Sequence, residues 1–292
     1  MYFLGVTTGQ SSIHNIFPQW TALAGIDDAV LRGIDIPLDA PPERYRGAVL
    51  TMLDDPDCWG GLVTTHKVNV FHHARDLFTA FDADAETLGE VNCIVRRPGT
   101  LAGLATDTLT VGLALRQILG AGPTRSAALI MGAGGAAVAL AVNLFRDHAP
   151  ESVILTDVSG SRLEHVRTLT PARCELVATA ADHDRLVASM PPGSLIVNAT
   201  GMGKDRPGSP VTPAVRFPAR SIAWDFNYRG NLAFLDLARR QGVQAVDGWN
   251  YFIHGWSQVM ARVFGFDLTP ELFEQMSSVG SQQTRRSALP IP

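Results

Sequence analysis

The sequence predicts an α/β protein in two parts, a smaller N-terminal α/β layer followed by a doubly wound parallel sheet. Three observations carry that prediction. From Leu129 onward, short apolar runs alternate with helical stretches: "ALIMGAGGAAVALAVNLF", "SVILTDV", "CELVAT", "SLIVNAT", "SIAWDF" and "VQAVDG". Continuous apolar strands need both faces covered, which crossover helices on a parallel sheet provide. The first of these strands runs directly into Gly132, Gly134 and Gly135 and then into an alanine-rich helix. Finally, "WNYFIHGWSQVMARVFG" after Gly248 has apolar residues at helical spacing, so helices follow the last strand and can pack back on the first part.

In chain order, "MYFLGV", "AVLRGIDIPL" and "WGGLVTT" read as strands, separated by the helical segments "FPQWTALAG" and "NVFHHARDLFTAF". "GGLVTTHKVNV" reads as a buried strand that delivers His66 and Lys67 at its end, with alternation placing the two side chains on opposite faces. In "VNCIVRRPGTLAGLATD" two apolar runs flank Pro98-Gly99, which predicts a β-hairpin leading into a helix from near Thr108. "TPELFEQM" opens with a cap and a proline and starts another helix, whereas "SSVGSQQTRRSALPIP" is polar and is expected to be mobile. The expected division is a first domain over 1–107 completed by helices within 249–276, a second over 108–248, and a mobile tail over 277–292.

A hydrophobic fraction of 46% with 18% charged residues describes an ordinary soluble globular protein. The net charge of -4, with no lysine-rich run, argues against a nucleic-acid or anionic-membrane surface. Cys58, Cys93 and Cys174 are widely spaced and outside any CxxC, which argues against a disulfide framework and fits a reducing cytoplasm. No basic leader precedes the first apolar residues, and no run approaches the roughly 20 residues needed to span a bilayer. His72 and His73 lack a carboxylate at metal-ligand spacing, so no metal is expected. The chain shows neither a coiled-coil seam nor an evident apolar patch and leaves a homodimer open.

The glycine turn is GxGGAA, with Ala137 at the third small position of the dinucleotide fingerprint. Gly132 lets the backbone approach a pyrophosphate, and the free amides around Gly134, Gly135 and Ala136 favour its charge. Asp157 ends the second strand at the position where a carboxylate bonds the adenine-ribose 2′-hydroxyl and would repel a 2′-phosphate. NAD is therefore expected in preference to NADP. Asp157 also suits a helix cap. Asn198 and Thr200 end a later strand at the sheet edge where such folds bind ligands, and could line the nicotinamide side or simply serve the turn.

Hydride chemistry at a carbinol carbon needs a protein group to handle the hydroxyl proton, and Lys67 and Asp107 are the candidates. A lysine after a strand is also commonly a solvated loop charge. The stretch Leu88 to Asp107, "LGEVNCIVRRPGTLAGLATD", resembles the shikimate/quinate dehydrogenase family, whose pattern is GAVNT, a hairpin, then GxNTD. "GGLVTTHK" is similar to its NVTxPxK, "GAGGAA" to its nucleotide loop, "NATGMG" to its NATxxGM, and "DFNYRGNLAFL" to its DxxYxPxxTxLL.

The resemblance implies that Lys67 and Asp107 are the catalytic pair, that Asn92 and Tyr228 bind substrate, and that Ser11 or Ser12 answers a carboxylate-binding serine in "TTGQSSIHNIF". A helix cap is the alternative for either serine. Departures are marked: Gly61, Val63 and Thr65 stand at the family's Asn, Thr and Pro, and Ala105 replaces the Asn before Thr106-Asp107. Gly230 stands for a Pro, Tyr251 for a Met and Gly255 for a substrate-touching Gln. A pocket with fewer hydroxyl partners discriminates poorly for a polyol, which points to a related cyclic or smaller hydroxy acid, or an amino-substituted analogue. Trp249, Tyr251 and Trp256 would suit a flat ligand or fill a core. The expectation is a nicotinamide-dependent dehydrogenase. Its rivals are an imine or amino-substrate reductase on the same fold and a silent NAD-binding metabolite sensor, against which the retained Lys67 and Asp107 speak.

Overall fold

The computed structural model describes residues 1–120, 127–148, 150–204 and 206–287, with side chains described through residue 281. The chain forms two compact units, Met1–Thr106 with Gly255–Pro292, and Asp107–His254.

The first unit is built on β1 (Tyr2–Gly5), α1 (Ile13–Leu23), β2 (Arg32–Asp35), α2 (Pro42–Asp54), β3 (Gly60–Val63), α3 (Lys67–Ala74), β4 (Ala80–Phe81), α4 (Ala83–Leu88), β5 (Cys93–Arg97) and β6 (Thr100–Leu104). Its sheet has the order β2-β1-β3-β5-β6-β4. β1 lies parallel to β2 and β3, and β5 runs antiparallel to β3 and β6. The short strands β1 and β3 are buried along their whole length. The hairpin forms as its sequence requires: Arg97 pairs with Thr100 across Pro98-Gly99, and Gly99 supplies the positive φ of +71°. Leu4, Ile36, Tyr45, Met52, Val70 and Ile94 are among the side chains of the core.

Two expectations change here. The strand carrying "GGLVTTHK" stops at Val63, because the Thr64 amide and hydroxyl both donate to the Leu4 carbonyl, at 3.0 and 3.1 Å. A turn follows, and Lys67 is the first residue of α3 rather than the end of a strand. The long helix expected through "NVFHHARDLFTAF" ends at Ala74, and Ala80–Phe81 instead pairs with β6.

The second unit contains α5 (Asp107–Leu119), β7 (Ala128–Met131), α6 (Gly135–Asn143), β8 (Val153–Asp157), α7 (Gly160–Leu169), β9 (Arg173–Leu176), α8 (Ala180–Ser189), β10 (Leu195–Asn198), β11 (Ile222–Asp225), α9 (Ala233–Arg240) and β12 (Gln244–Val246). Its six strands are all parallel in the order β12-β11-β10-β7-β8-β9. That is the doubly wound dinucleotide-binding order, which reverses between β7 and β10 and opens a crevice at their carboxyl ends.

The chain returns to the first unit within α10 (Trp249–Phe264) and ends in α11 (Pro270–Ser287). The segment 277–287 continues this helix; 288–292 lie outside the described residues. Leu272, Phe273, Met276, Val279 and Gly280 continue one inward stripe at helical spacing. α11 packs on α1, where the Trp20 indole N–H donates to the Met276 carbonyl at 2.8 Å. No described helix is long and apolar enough to cross a membrane.

Candidate active site

The glycine turn sits at the strand-order reversal of the second unit. Gly132 has φ +106°, and a Cβ there would lie 2.7 Å from the Ala199 carbonyl oxygen in the loop after β10, so only glycine fits. Gly134 caps α6 and has open space beside it, and Gly135 begins the helix. The first amides of α6 lack helical partners and, with the helix dipole, suit an anion.

Asp157 ends β8 and is buried. One of its carboxylate oxygens accepts from the Ala133 amide at 2.8 Å and the other from the Ser159 amide at 2.8 Å, while Arg162 approaches to 3.8 Å. Ser159 occupies the cap of α7, so Asp157 braces the glycine turn from two residues before the cap.

Beyond β10, the Asn198 amide oxygen accepts from the Thr200 amide at 3.2 Å and its hydroxyl at 2.7 Å. The Asn198 nitrogen donates to Asp225 at 2.9 Å and to the Met202 carbonyl at 3.2 Å. Asp225 also accepts from the Asn227 amide at 2.8 Å, and the Asn227 side chain donates to the Met202 carbonyl at 3.0 Å. Burial, with a smaller contribution from Asp247, pushes the Asp225 carboxyl up to about 6 against these hydrogen bonds. Sequence reasoning missed Asp225 and Asn227, although Asp225 opens the "DFNYRGNLAFL" motif.

Tyr228 packs against Phe252 at 4.5 Å and Trp249 at 5.2 Å between ring centres, and the latter two stack at 5.1 Å. Tyr251 stacks on Phe226 at 4.9 Å. Trp256 instead meets Phe3 edge-on at 4.8 Å, buried in the first unit as core. Gly230 stands where the family pattern has proline for a spatial reason: at φ +98°, its Cβ would fall 1.9 Å from the Gly203 carbonyl oxygen.

In the first unit, His66 precedes α3 with its ring buried, and its Nε2–H donates to the Ile36 carbonyl at 2.8 Å. Burial lowers its pKa, so the ring stays neutral and structural. Lys67 is half-buried at the start of α3, and its carbonyl accepts from the Val91 amide at 3.1 Å. Because α3 begins at Lys67, strand alternation does not govern the directions of these two side chains. The residue after Val91, Asn92, is tied to β3 through Val63 and to β6 through Leu104.

The Asn92 side chain donates to the Thr106 hydroxyl at 2.9 Å and accepts from the Thr106 amide at 2.7 Å, fixing the residue that precedes Asp107. Asp107 opens α5, where a carboxylate complements the helix dipole, and is buried. Ser12 holds the cap position of α1 without a side-chain cap bond, and the Ser11 hydroxyl accepts from the Ile13 amide at a long 3.4 Å. Neither serine therefore makes a strong cap. At Gly61, the position of the family's Asn, a Cβ would meet the Met52 methyl at 2.9 Å and the Tyr2 carbonyl oxygen at 3.0 Å, and Ala105 is buried.

No protein-family model matches the chain. A curated shikimate dehydrogenase (NADP(+)) of Methylobacterium radiotolerans is 34% identical over 274 residues, covering 89% of this chain and 90% of that protein. Among solved structures, shikimate dehydrogenase from Aquifex aeolicus superposes with TM-score 0.76 at 20% identity, over 97% of this chain and 96% of that one. Quinate dehydrogenase from Corynebacterium glutamicum, in complex with NAD, gives TM-score 0.73 at 21% identity over 96% and 98%. The structural likenesses establish the fold, and the sequence relationship goes further: the chain belongs to the shikimate dehydrogenase family.

Proposed function

We propose that the protein is a nicotinamide-dependent dehydrogenase that interconverts a hydroxyl and a ketone on a small cyclic carboxylic acid. The observation that carries this reading is the glycine turn at the strand-order reversal, where Gly132 admits a close backbone approach and Gly134 leaves open space over the start of α6. These residues fit a dinucleotide: Gly132, Gly134, Gly135 and Ala136 would hold the pyrophosphate, Asp157 the adenine ribose, and Asn198 and Thr200 the nicotinamide side. Bound there, the nicotinamide supplies or accepts the hydride.

The chain's own contribution is to move the proton. Lys67 is assigned as the acid/base at the substrate oxygen, with Asp107 orienting the ammonium and sharing its proton network. Asn92, Tyr228 and Ser11 or Ser12 are assigned to the substrate. Because the Asn92 side chain already holds Thr106, its contribution combines substrate contact with placement of Asp107.

The curated relative is named for NADP(+). Asp157 supports NAD in this chain, since its buried carboxylate would oppose a 2′-phosphate. The changes at Ala105 and Gly255 support a related cyclic or smaller hydroxy acid, or an amino-substituted analogue.

Absorbance at 340 nm tests the reading. NAD and NADP are each supplied with shikimate, quinate and amino-substituted cyclic hydroxy acids. The expected result is turnover on at least one cyclic acid with NAD preferred; turnover with NADP alone would overturn the assignment of Asp157. No turnover with either cofactor on any of these acids would remove the substrate class.

A further inference from the structure

We propose that Asp225 is a positioning residue for the dinucleotide, locking the loops after β10 and β11 together at the crevice. This rests on the reading of the second unit as the cofactor site. Asp225, Asn198 and Asn227 are all buried at the carboxyl ends of adjacent strands or just beyond them. A continuous set of hydrogen bonds runs from the Asn227 amide through the Asp225 carboxylate and the Asn198 side chain to the Thr200 amide and hydroxyl. Met202 closes the set, its carbonyl accepting from both asparagines.

The loop so held lies against the glycine turn: the Ala199 amide donates to the Met131 carbonyl at 2.8 Å, and the Ala199 carbonyl fills the space a Gly132 side chain would need. Its position therefore sets the floor on the nicotinamide side of the crevice. The other loop carries Tyr228 one residue after Asn227.

An ionised carboxylate gives each of the two N–H donors an oxygen that carries no proton. An amide at this position keeps one acceptor oxygen and sets its NH2 group against the other donor, either the Asn198 nitrogen or the Asn227 amide. Turning Asn198 over to repair the first of these contacts would take its oxygen away from Thr200. Protonating Asp225 creates the same conflict with a hydroxyl. β10 presents Asn198 to this carboxylate, the turn after β11 presents Asn227, and the connection after β12 presents Asp247, the charged neighbour that opposes ionisation.

The test follows binding of NADH and NADPH to the full chain by dinucleotide fluorescence at pH 7.5 and pH 5, with thermal unfolding in parallel. The wild type is expected to bind severalfold more weakly at pH 5. Asp225→Asn is expected to bind about tenfold more weakly at pH 7.5, the loss of one charge-assisted hydrogen bond, and to show no further weakening at pH 5. Wild-type affinity in this variant, or a retained wild-type response to pH, overturns the proposal. Should Asp225→Asn lack a cooperative unfolding transition, Asn227→Ala decides: it cuts the side-chain bond to the Met202 carbonyl while leaving the buried carboxylate, and wild-type affinity in that variant would overturn the proposal. A wild type that binds neither dinucleotide overturns the dehydrogenase reading and this inference together, whereas a wild type that binds beside an indifferent Asp225→Asn overturns this inference alone.

Discussion

Asp225 and His254 are buried groups of the second unit whose titrations oppose each other. Burial raises Asp225 to about 6 from 3.8, and burial with the nearby Arg116 charge lowers His254 to about 4 from 6.5. For Asp225 the folded state binds the proton more tightly, so its cost is fully present above pH 6 and is relieved as pH falls toward 3.8, by about 3 kcal/mol. For His254 the unfolded state binds the proton more tightly, so stability is present above pH 6.5 and is lost as pH falls toward 4, by a similar amount. In the wild type the two largely offset. Asp225→Asn removes the relief and leaves the loss, so its urea-unfolding free energy should fall between pH 7 and 4 by about 2 to 3 kcal/mol more than the wild type's. Equal falls in both proteins would contradict these assignments. Gly132 was legible from sequence because its reason is local: a strand, a turn and a helix. Asp225 was not, because its partner Asn198 lies 27 residues earlier and only the sheet brings them side by side.

Among the elements, α11 shows how a polar sequence can hide a packed helix. "SSVGSQQTRRS" has few large apolar residues, yet Val279 and Gly280 extend the stripe that Leu272, Phe273 and Met276 begin. Small residues carry little hydrophobic signal while still allowing close packing. Met276 is fully buried against α1, so Met276→Ala should cost about 2 to 5 kcal/mol in denaturant unfolding. A change below about 1 kcal/mol would mean that α11 is not held there. β3 was legible as a buried strand, but its end was not. Thr64 stops it through the Leu4 carbonyl on β1, a contact 60 residues away that no local pattern records. That stop makes Lys67 the first residue of a helix.

For the molecule as a whole, the alternation of apolar strands and helices, together with several motifs in one order, was enough to anticipate both sheets and the family. The two units divide at Thr106/Asp107 and at His254/Gly255 within α10. Departures from the family pattern were visible in the sequence, but their causes were spatial. Gly230 answers the close approach of Gly203, and Gly61 answers Tyr2 and Met52. These changes sit in the scaffold around the assigned groups, while Lys67, Asp107 and the glycine turn are kept.

The most direct test of that account is Lys67→Ala, with turnover at 340 nm and dinucleotide binding measured on the same preparation. Removal of a general acid/base should lower kcat about 10²- to 10⁴-fold while dinucleotide affinity and thermal unfolding stay near wild type. Turnover within about threefold of wild type would contradict the central claim that Lys67 moves the substrate proton.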